Sequence, residues 1–350
     1  MKIMVTGGAG FIGSCFVLQS LERGYEVLNI DKLTYSGNLN NLRDAINEPT
    51  YSFIKADIGD SNTIQECLNS FNPDWIVNFA AETHVDRSIA DPKIFFQTNV
   101  LSTLSLLTTI NKWYLNNKKE NFKFHHISTD EVFGSLGIND RPFTECNQYC
   151  PNSPYSASKA SSDHIVRSFH ETFGLPTIIT NCSNNYGPRQ FPEKLFPLLI
   201  LNAIKGDSLP IYGTGNNIRD WLHVVDHCEA IHKILIAGWI GQTYNIGGNS
   251  ERTNRYVVEK ICEYLDELVP KADGSKYKNQ ITYVKDRPGH DMRYAIDSSK
   301  IERERGWKPK YSFEEGLKKT IKWYLKNEDW VNNILTGEYR DWLDKNYKER

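Results

Sequence analysis

Nowhere in the 350 residues is there a Cys-x-x-Cys pair, and the seven cysteines (15, 67, 146, 150, 182, 228 and 262) are odd in number and scattered. Disulfide frameworks and thiolate zinc sites need closer, patterned spacing, so the expectation is reduced thiols in a cytosolic protein. The chain also lacks a dominant charge. Its 41 basic and 43 acidic side chains leave a formal net charge of -2, with no electrostatic footprint for nucleic acid. No apolar run approaches the roughly 18 residues of a membrane span. The opening Met1-Lys2-Ile3-Met4-Val5 is too short in its apolar part for a secretory leader and runs straight into a glycine cluster. Internal repeats and low-complexity tracts are missing too. What remains is a cytosolic chain of one large domain or two ordinary ones.

The first half alternates short apolar runs with helical patterns, the signature of a parallel sheet covered by helices. Strands are predicted at Ile3–Val5, Glu26–Ile30 (ending at Asp31), Ser52–Ala56, Trp75–Phe79, Phe122–Ile127 and Thr177–Asn181. Helices are predicted at Phe11–Arg23, Thr98–Leu115 and Tyr155–Phe173. Beyond Tyr186, prolines at 188, 192, 197 and 210 and glycines at 187, 206, 213 and 215 break the alternation. Helical stretches return at Arg255–Leu268 and Ser312–Lys326. The expected fold is α/β: a Rossmann-like, doubly wound parallel sheet over 1–185, with a return segment near 222–247. A smaller α/β substrate-binding domain occupies most of 186–350.

Thr6-Gly7-Gly8-Ala9-Gly10-Phe11-Ile12-Gly13 lies between a predicted strand and a predicted helix. Glycines at 7, 10 and 13 permit a tight turn, close backbone approach to a pyrophosphate and close helix packing, while the helix N-terminus offers free N–H groups. The spacing is G-x-x-G-x-x-G, one residue off the generic fingerprint, and a ligandless glycine turn is the competing reading. Asp31 stands eighteen residues past Gly13, near the offset at which a carboxylate accepts from adenosine ribose hydroxyls. That favours NAD over NADP, although the adjacent Lys32 weakens the exclusion; a solvated strand end is the alternative.

Tyr155-Ser156-Ala157-Ser158-Lys159 puts a phenol and an ammonium on one helix face. A nearby cation favours phenolate, so the pair suits removal of a hydroxyl proton. Thr129-Asp130-Glu131 follows a predicted strand at the sheet's ligand edge, where two carboxylates suit one general acid and one general base.

These strings together resemble the extended short-chain dehydrogenase/reductases that act on nucleotide sugars, and within them the dTDP-glucose 4,6-dehydratases. The likeness also rests on Asp31–Asn38, Ala80–Ser88, Cys182–Pro188, Phe191–Leu195, Arg219–His223 and Arg287–Asp291, and runs from Met1 to about Lys326. The acidic pair is the discriminating signature, since sugar epimerases of the superfamily lack it. The resemblance implies that Tyr155, with Lys159, takes the C4 hydroxyl proton as hydride leaves for NAD. Glu131 then removes the C5 proton, Asp130 protonates the departing C6 hydroxyl, Thr129 polarises the ketone, and hydride returns to C6. Tightly bound NAD is expected against Gly7, Gly10, Phe11, Ile12, Gly13, Asp31, Lys32, Leu33, Thr34, Asp57, Ile58, Ala80, Ala81, Thr98, Tyr155, Lys159 and Asn185. The sugar nucleotide is expected at Thr83, Thr129, Asn184, Glu193, Lys194, Tyr212, Arg219, Asn254, Arg287 and His290. Tyr212 flanks the base or fills a core. Two departures stand out: Thr83 replaces a frequent serine, and Met292 a frequent arginine that bears on dTDP against UDP.

The same family implies a homodimer through a four-helix bundle built from the helices at 98–115 and 155–173. Competing activities are UDP- or CDP-glucose 4,6-dehydration, UDP-sugar 4-epimerisation and UDP-glucuronate decarboxylation. A non-catalytic NAD-binding regulatory protein is the competing class, and the intact Thr129, Asp130, Glu131, Tyr155 and Lys159 speak against it. His223, His227 and His232, with His125 and His126, are read as structural histidines rather than metal ligands, for want of a Glu-x-x-His context.

Overall fold

A computed structural model describes residues 1–335; the lysine-rich tail and the end of the domain expected over 186–350 lie outside the described residues. The first half builds β1 (Lys2–Thr6), α1 (Phe11–Glu22), β2 (Glu26–Asp31), β3 (Tyr51–Lys55), α2 (Ser61–Phe71) and β4 (Trp75–Asn78). It continues through α3 (Val85–Ala90), α4 (Pro92–Phe95), a π-helical turn (Phe96–Ser102), α5 (Thr103–Asn117), β5 (Lys123–Thr129) and α6 (Pro154–Phe173). After β6 (Thr177–Cys182) come β7 (Asn184–Tyr186), α7 (Leu195–Lys205), β8 (Leu209–Tyr212), β9 (Ile218–His223), α8 (Val224–Ala237) and β10 (Thr243–Ile246). The chain then runs through β11 (Glu251–Thr253), α9 (Asn254–Leu268), β12 (Ile281–Val284), α10 (Ser299–Arg305), α11 (Phe313–Lys326) and α12 (Glu328–Ile334).

Seven strands form one parallel sheet in the order β10-β6-β5-β4-β1-β2-β3. Continuous apolar strands such as Ile3-Met4-Val5, fully buried, are what a sheet covered on both faces requires. The chain winds outward from β1 to β3, then restarts at β4 and winds the other way. The reversal leaves a crevice at the carboxyl ends of β1 and β4, where such sheets bind ligands. β10 pairs parallel with β6, from Thr243 opposite Ile179 to Ile246 opposite Cys182, so the chain returns to the sheet after its first excursion. A second apolar core, including Phe196, Leu199, Val257, Ile261, Leu317 and Trp330, sits under α7, α9, α11 and α12. It carries the residues that face the crevice from the other side.

α6 shows how local signals place a site. Ser153 caps it with a reciprocal capping box, Pro154 occupies the first turn, and Gly174 ends it in a left-handed conformation. Tyr155 is thereby fixed in the first turn, one turn ahead of Lys159.

The clustered histidines have separate partners. His223 caps α8 by accepting from Val225 N, and His227 meets Asn185 Oδ1 at 2.9 Å. His232 stacks on Phe16 with ring centroids 4.3 Å apart. Among the described residues no group of three or more His, Cys, Asp or Glu side chains is gathered as a metal would require. Burial, helped by Arg23, holds His232 neutral down to about 3. The unfolded imidazole titrates near 6.5, so between those values the unfolded chain binds the extra proton and His232 costs stability as pH falls. His232→Phe keeps a ring on Phe16 without the titration. Its unfolding free energy relative to wild type, from denaturant titrations, should climb as pH drops from 7 to 4, reaching a difference on the order of 3 kcal/mol at pH 4. A difference independent of pH would contradict the assignment.

Candidate active site

The β1–α1 turn is closed by backbone contacts. Gly7 adopts φ +71, and a Cβ there would meet Ala80 N at 2.6 Å; at Gly13 it would meet Gly7 O at 2.2 Å. Gly10 caps α1, and a Cβ on it would meet only Gly7 O at 3.3 Å. This glycine cradle and the first turn of α1 form one wall of a cavity that fits a dinucleotide pyrophosphate.

Along that cavity lie Gly7, Gly10, Phe11, Ile12, Gly13, Asp31, Lys32, Thr34, Asp57, Ile58, Ala80, Ala81, Thr98, Tyr155, Lys159 and Asn185. Of the residues expected at the cofactor, only Leu33 stands off the wall. Its N–H instead donates to Asp31 Oδ1 at 2.8 Å, while Ala9 N donates to Oδ2 at 3.0 Å. These two bonds aim the Asp31 carboxylate and leave each oxygen a further lone pair. Lys32 is occupied by Asp57 at 3.1 Å, so it is less free to welcome a 2′-phosphate than its sequence position suggests.

Tyr155 and Lys159 stand at the inner end. Burial pushes the Tyr155 phenol well above the usual range, with Glu131, Cys182 and Asp130 adding to it and a hydrogen bond from Thr129 opposing. Lys159 is buried, which pulls its ammonium down, and its Nζ donates to Ile127 O at 2.8 Å. Without further positive charge the phenol therefore keeps its proton.

β5 runs two residues further than the sequence pattern predicts, through Ser128 and Thr129, and Asp130–Phe133 then forms a 3-10 turn. The two carboxylates end in different surroundings. Asp130 is buried, lines neither cavity, and its Oδ2 has no hydrogen-bond partner. Burial, Glu131 and Asp220 raise it well above the carboxylate range, so it holds a proton. Glu131 is also raised by burial, but Arg287, Arg219 and Lys194 pull against that, and it opens on both cavities. Sequence shows two adjacent acids; the fold gives them different surroundings, two carboxylates adding to the burial of one and three cations opposing the burial of the other.

A second cavity adjoins the first across Glu131 and contains Thr83, Asn184, Glu193, Lys194, Tyr212, Arg219, Asn254, Arg287 and His290. Thr129 alone of the residues expected at the sugar nucleotide lines only the first cavity. Its positive groups converge: Arg219, Arg287 and Lys194 all act on Glu131. Tyr212 donates to Asp86 Oδ2 at 3.2 Å rather than filling a core, and Arg287 lies 3.7 Å from Asp86. Met292 is 43% exposed and lines neither cavity.

The sequence reading left out several participants. Glu193 Oε1 receives Tyr35 OH and its Oε2 receives Arg87 Nε, both at 2.9 Å. Glu82, Ser36, Cys182 and Gln190 also line the first cavity. The strings around Tyr35 and Arg87 carried the family resemblance, and that was the available signal; no local pattern gave their contacts.

A family model described as GDP-mannose 4,6 dehydratase matches residues 4–320. The dTDP-glucose 4,6-dehydratase of Salmonella typhimurium is 54% identical over 362 residues, covering 100% of both chains. Among solved structures, the Bacillus anthracis dTDP-glucose 4,6-dehydratase in complex with NAD superposes with TM-score 0.85 at 47% identity, covering 95% of this chain and 99% of that one. The Streptomyces venezuelae enzyme of the same name, with NAD and TYD bound, gives TM-score 0.88 at 43% identity over 95% and 100%. Agreement in length, sheet and sequence across these relatives leaves one assignment: the chain belongs to the dTDP-glucose 4,6-dehydratase family of extended short-chain dehydrogenase/reductases.

Proposed function

We propose that this chain converts dTDP-glucose to dTDP-4-keto-6-deoxyglucose and water, with NAD as a bound cofactor, in deoxysugar biosynthesis. The observation that carries this reading is the Thr129–Glu131 turn, which sets a cation-flanked Glu131 where the two cavities meet, near Tyr155, with a protonated Asp130 buried directly behind it. An epimerase or a decarboxylase needs the tyrosine and has no work for this pair.

When bound, NAD supplies a positively charged ring that accepts a hydride from C4 and returns it at C6. The protein's residues handle the protons. Tyr155 accepts the C4 hydroxyl proton, its phenolate favoured by the Lys159 ammonium one turn along α6. Thr129, hydrogen-bonded to that phenol, is placed to donate to the C4 oxygen. A ketone at C4 acidifies the C5 hydrogen, which Glu131 removes. Asp130 gives its proton to the C6 hydroxyl, so the group leaves as water. Arg219 and Arg287 suit the pyrophosphate, because a guanidinium donates two parallel bonds.

Purified protein incubated with dTDP-glucose should form a ketone absorbing in alkali and lose the mass of one water, faster than with UDP-glucose. Epimerisation or decarboxylation of a UDP-sugar without loss of water would overturn the proposal.

The quaternary reading is a homodimer. Ile89, Ile94, Phe96, Leu101 and Leu104 are 37% to 52% exposed along one continuous stretch from α3 to α5. A second copy burying these chains against its own, with α5 and α6 forming a four-helix bundle, accounts for their exposure. Sedimentation equilibrium should give twice the chain mass, and Leu104→Lys should return it to the monomer. No helix among the described residues is long and apolar enough to cross a membrane. With every described cysteine a free thiol, the cytoplasm is the compartment we propose.

A further inference from the structure

Behind Tyr155 and Lys159 lies a buried polar layer to which the dehydration chemistry assigns no role. Lys159 Nζ stands 3.3 Å from His126 Nε2, in addition to its bond to Ile127 O. The same Nε2 lies 3.4 Å from Asp163 Oδ1 and 3.2 Å from Ser162 Oγ. Asp163 follows Lys159 by four residues, so both project from one face of α6. Its other oxygen accepts from Ser128 Oγ at 2.7 Å, Tyr149 OH at 3.1 Å and Asn181 Nδ2 at 3.4 Å. Lys159, His126 and Asp163 are all 3% exposed or less.

Three donors on one carboxylate oxygen favour its charged form, which burial alone would not permit. Burial raises Asp163, the Lys159 ammonium and then these three donors pull against it, and the carboxyl ends raised to about 6, ionised at neutral pH. His126 is held neutral by burial and by Lys159. Asn78 Nδ2 donates to His126 Nδ1 at 3.1 Å, so the neutral ring carries its proton on Nε2, and that N–H is turned to Ser162 Oγ and the Asp163 carboxylate.

The other ionisable groups around Lys159 do not offer a counter-charge. On its own helix the neighbour is the Tyr155 phenol. From β5 come His126, and His125, which is turned to Thr180 Oγ1 at 3.0 Å and held neutral by burial. The turn beyond β5 carries Asp130, which holds a proton, and Glu131, which faces the arginines of the second cavity. Cys182 on β6 is a thiol pushed up by burial, and Tyr149 from the preceding loop is an un-ionised phenol. Asp163 is the anion that bears on the ammonium.

We propose that Asp163 and His126 are positioning residues for the Tyr155–Lys159 pair. Asp163 keeps Lys159 an ammonium, Ile127 O holds that ammonium in place, and His126 faces the Asp163 carboxylate with its Nε2–H and so orients it. The proton affinity of Tyr155 is thus set, through Lys159, by a carboxylate two helical turns further along α6. The inference rests on the dehydratase reading above.

The test is the pH dependence of kcat/KM with dTDP-glucose. Its acid limb, governed by ionisation of Tyr155, should move upward by about one pH unit in Asp163→Asn, with about a tenfold loss at neutral pH. Tyr149→Phe, which removes one donor from Asp163 and keeps the ring, should move the limb the same way by less. This milder variant tests the idea even if Asp163→Asn does not fold. A uniformly lower profile with an unmoved limb would make Asp163 merely structural, and a downward shift would mean it acts on the phenolate directly; either overturns the proposal. The wild type is the control that separates the two readings, because a wild type forming no 4-keto product overturns the dehydratase assignment itself.

Discussion

Tyr155→Phe should leave a folded protein that still binds NAD and dTDP-glucose but forms the 4-keto product about 10³-fold more slowly. The ring lies edge-on to Phe95 with centroids 6.3 Å apart, and phenylalanine retains that packing. What goes is the one hydroxyl in contact with Thr129 at the head of α6. In the cofactor-free protein the phenol is a poor base, since burial and the neighbouring carboxylates hold its proton on. The cations must therefore tip the balance in the loaded enzyme, and the reaction begins only where phenolate is reachable. Steady-state kcat, read by the alkali absorbance of the ketone, and sugar-nucleotide affinity, read by calorimetry, separate the outcomes. A loss below tenfold, or an affinity that falls in step with kcat, would remove Tyr155 as the base.

How far such a site was legible beforehand depended on whether its determinants were local. β1 and β2 were plain, because a strand covered on both faces is a continuous apolar run. α6 was plain because Ser153, Pro154 and Gly174 mark its ends. The segment predicted as one helix over Thr98–Leu115 is different. Its first part is a π-helical turn, in which Asn99 is pinned by Glu82 N at 2.8 Å and Ser158 Oγ at 2.8 Å. Those partners come from another loop and another helix, so no periodicity in the segment reveals the turn. α7 was obscured by Pro197, which reads as a breaker yet sits in the first turn, where its missing N–H has no helical partner to lose. α8 buries side chains around most of its circumference, Asp226, His227 and His232 among them, and its narrow outer stripe of Val225, Glu229, Lys233 and Ile236 mixes apolar with charged residues, so the helical pattern is blurred. At the site, glycine spacing and the Tyr-x-x-x-Lys offset were visible for the same local reason. The bond that holds Asp31 from Ala9, and those that hold Glu193 from Tyr35 and Arg87, depend on how segments distant in sequence meet.

Asp130 and Glu131 are the sharpest instance, because adjacent acids are chemically alike until the fold separates them. Replacing each by its amide should stop water loss, each by about 10²- to 10³-fold, yet leave different partial reactions. In Asp130→Asn the base remains, so C5 deprotonation continues while the C6 hydroxyl lacks its acid. Substrate recovered from deuterium oxide should then carry deuterium at C5. In Glu131→Gln oxidation at C4 is still open, but nothing removes the C5 proton, and recovered dTDP-glucose should stay unlabelled. The pH dependence follows from the same surroundings. Asp130 works as an acid because burial, Glu131 and Asp220 raise it, so water loss should fail at high pH as it deprotonates. Glu131 must be ionised, and burial raises it too, so activity should fail at low pH as it gains a proton. Mass spectrometry of recovered substrate from the two variants is decisive: label in Glu131→Gln and none in Asp130→Asn would exchange the two roles, and equal labelling would mean that neither residue is the C5 base.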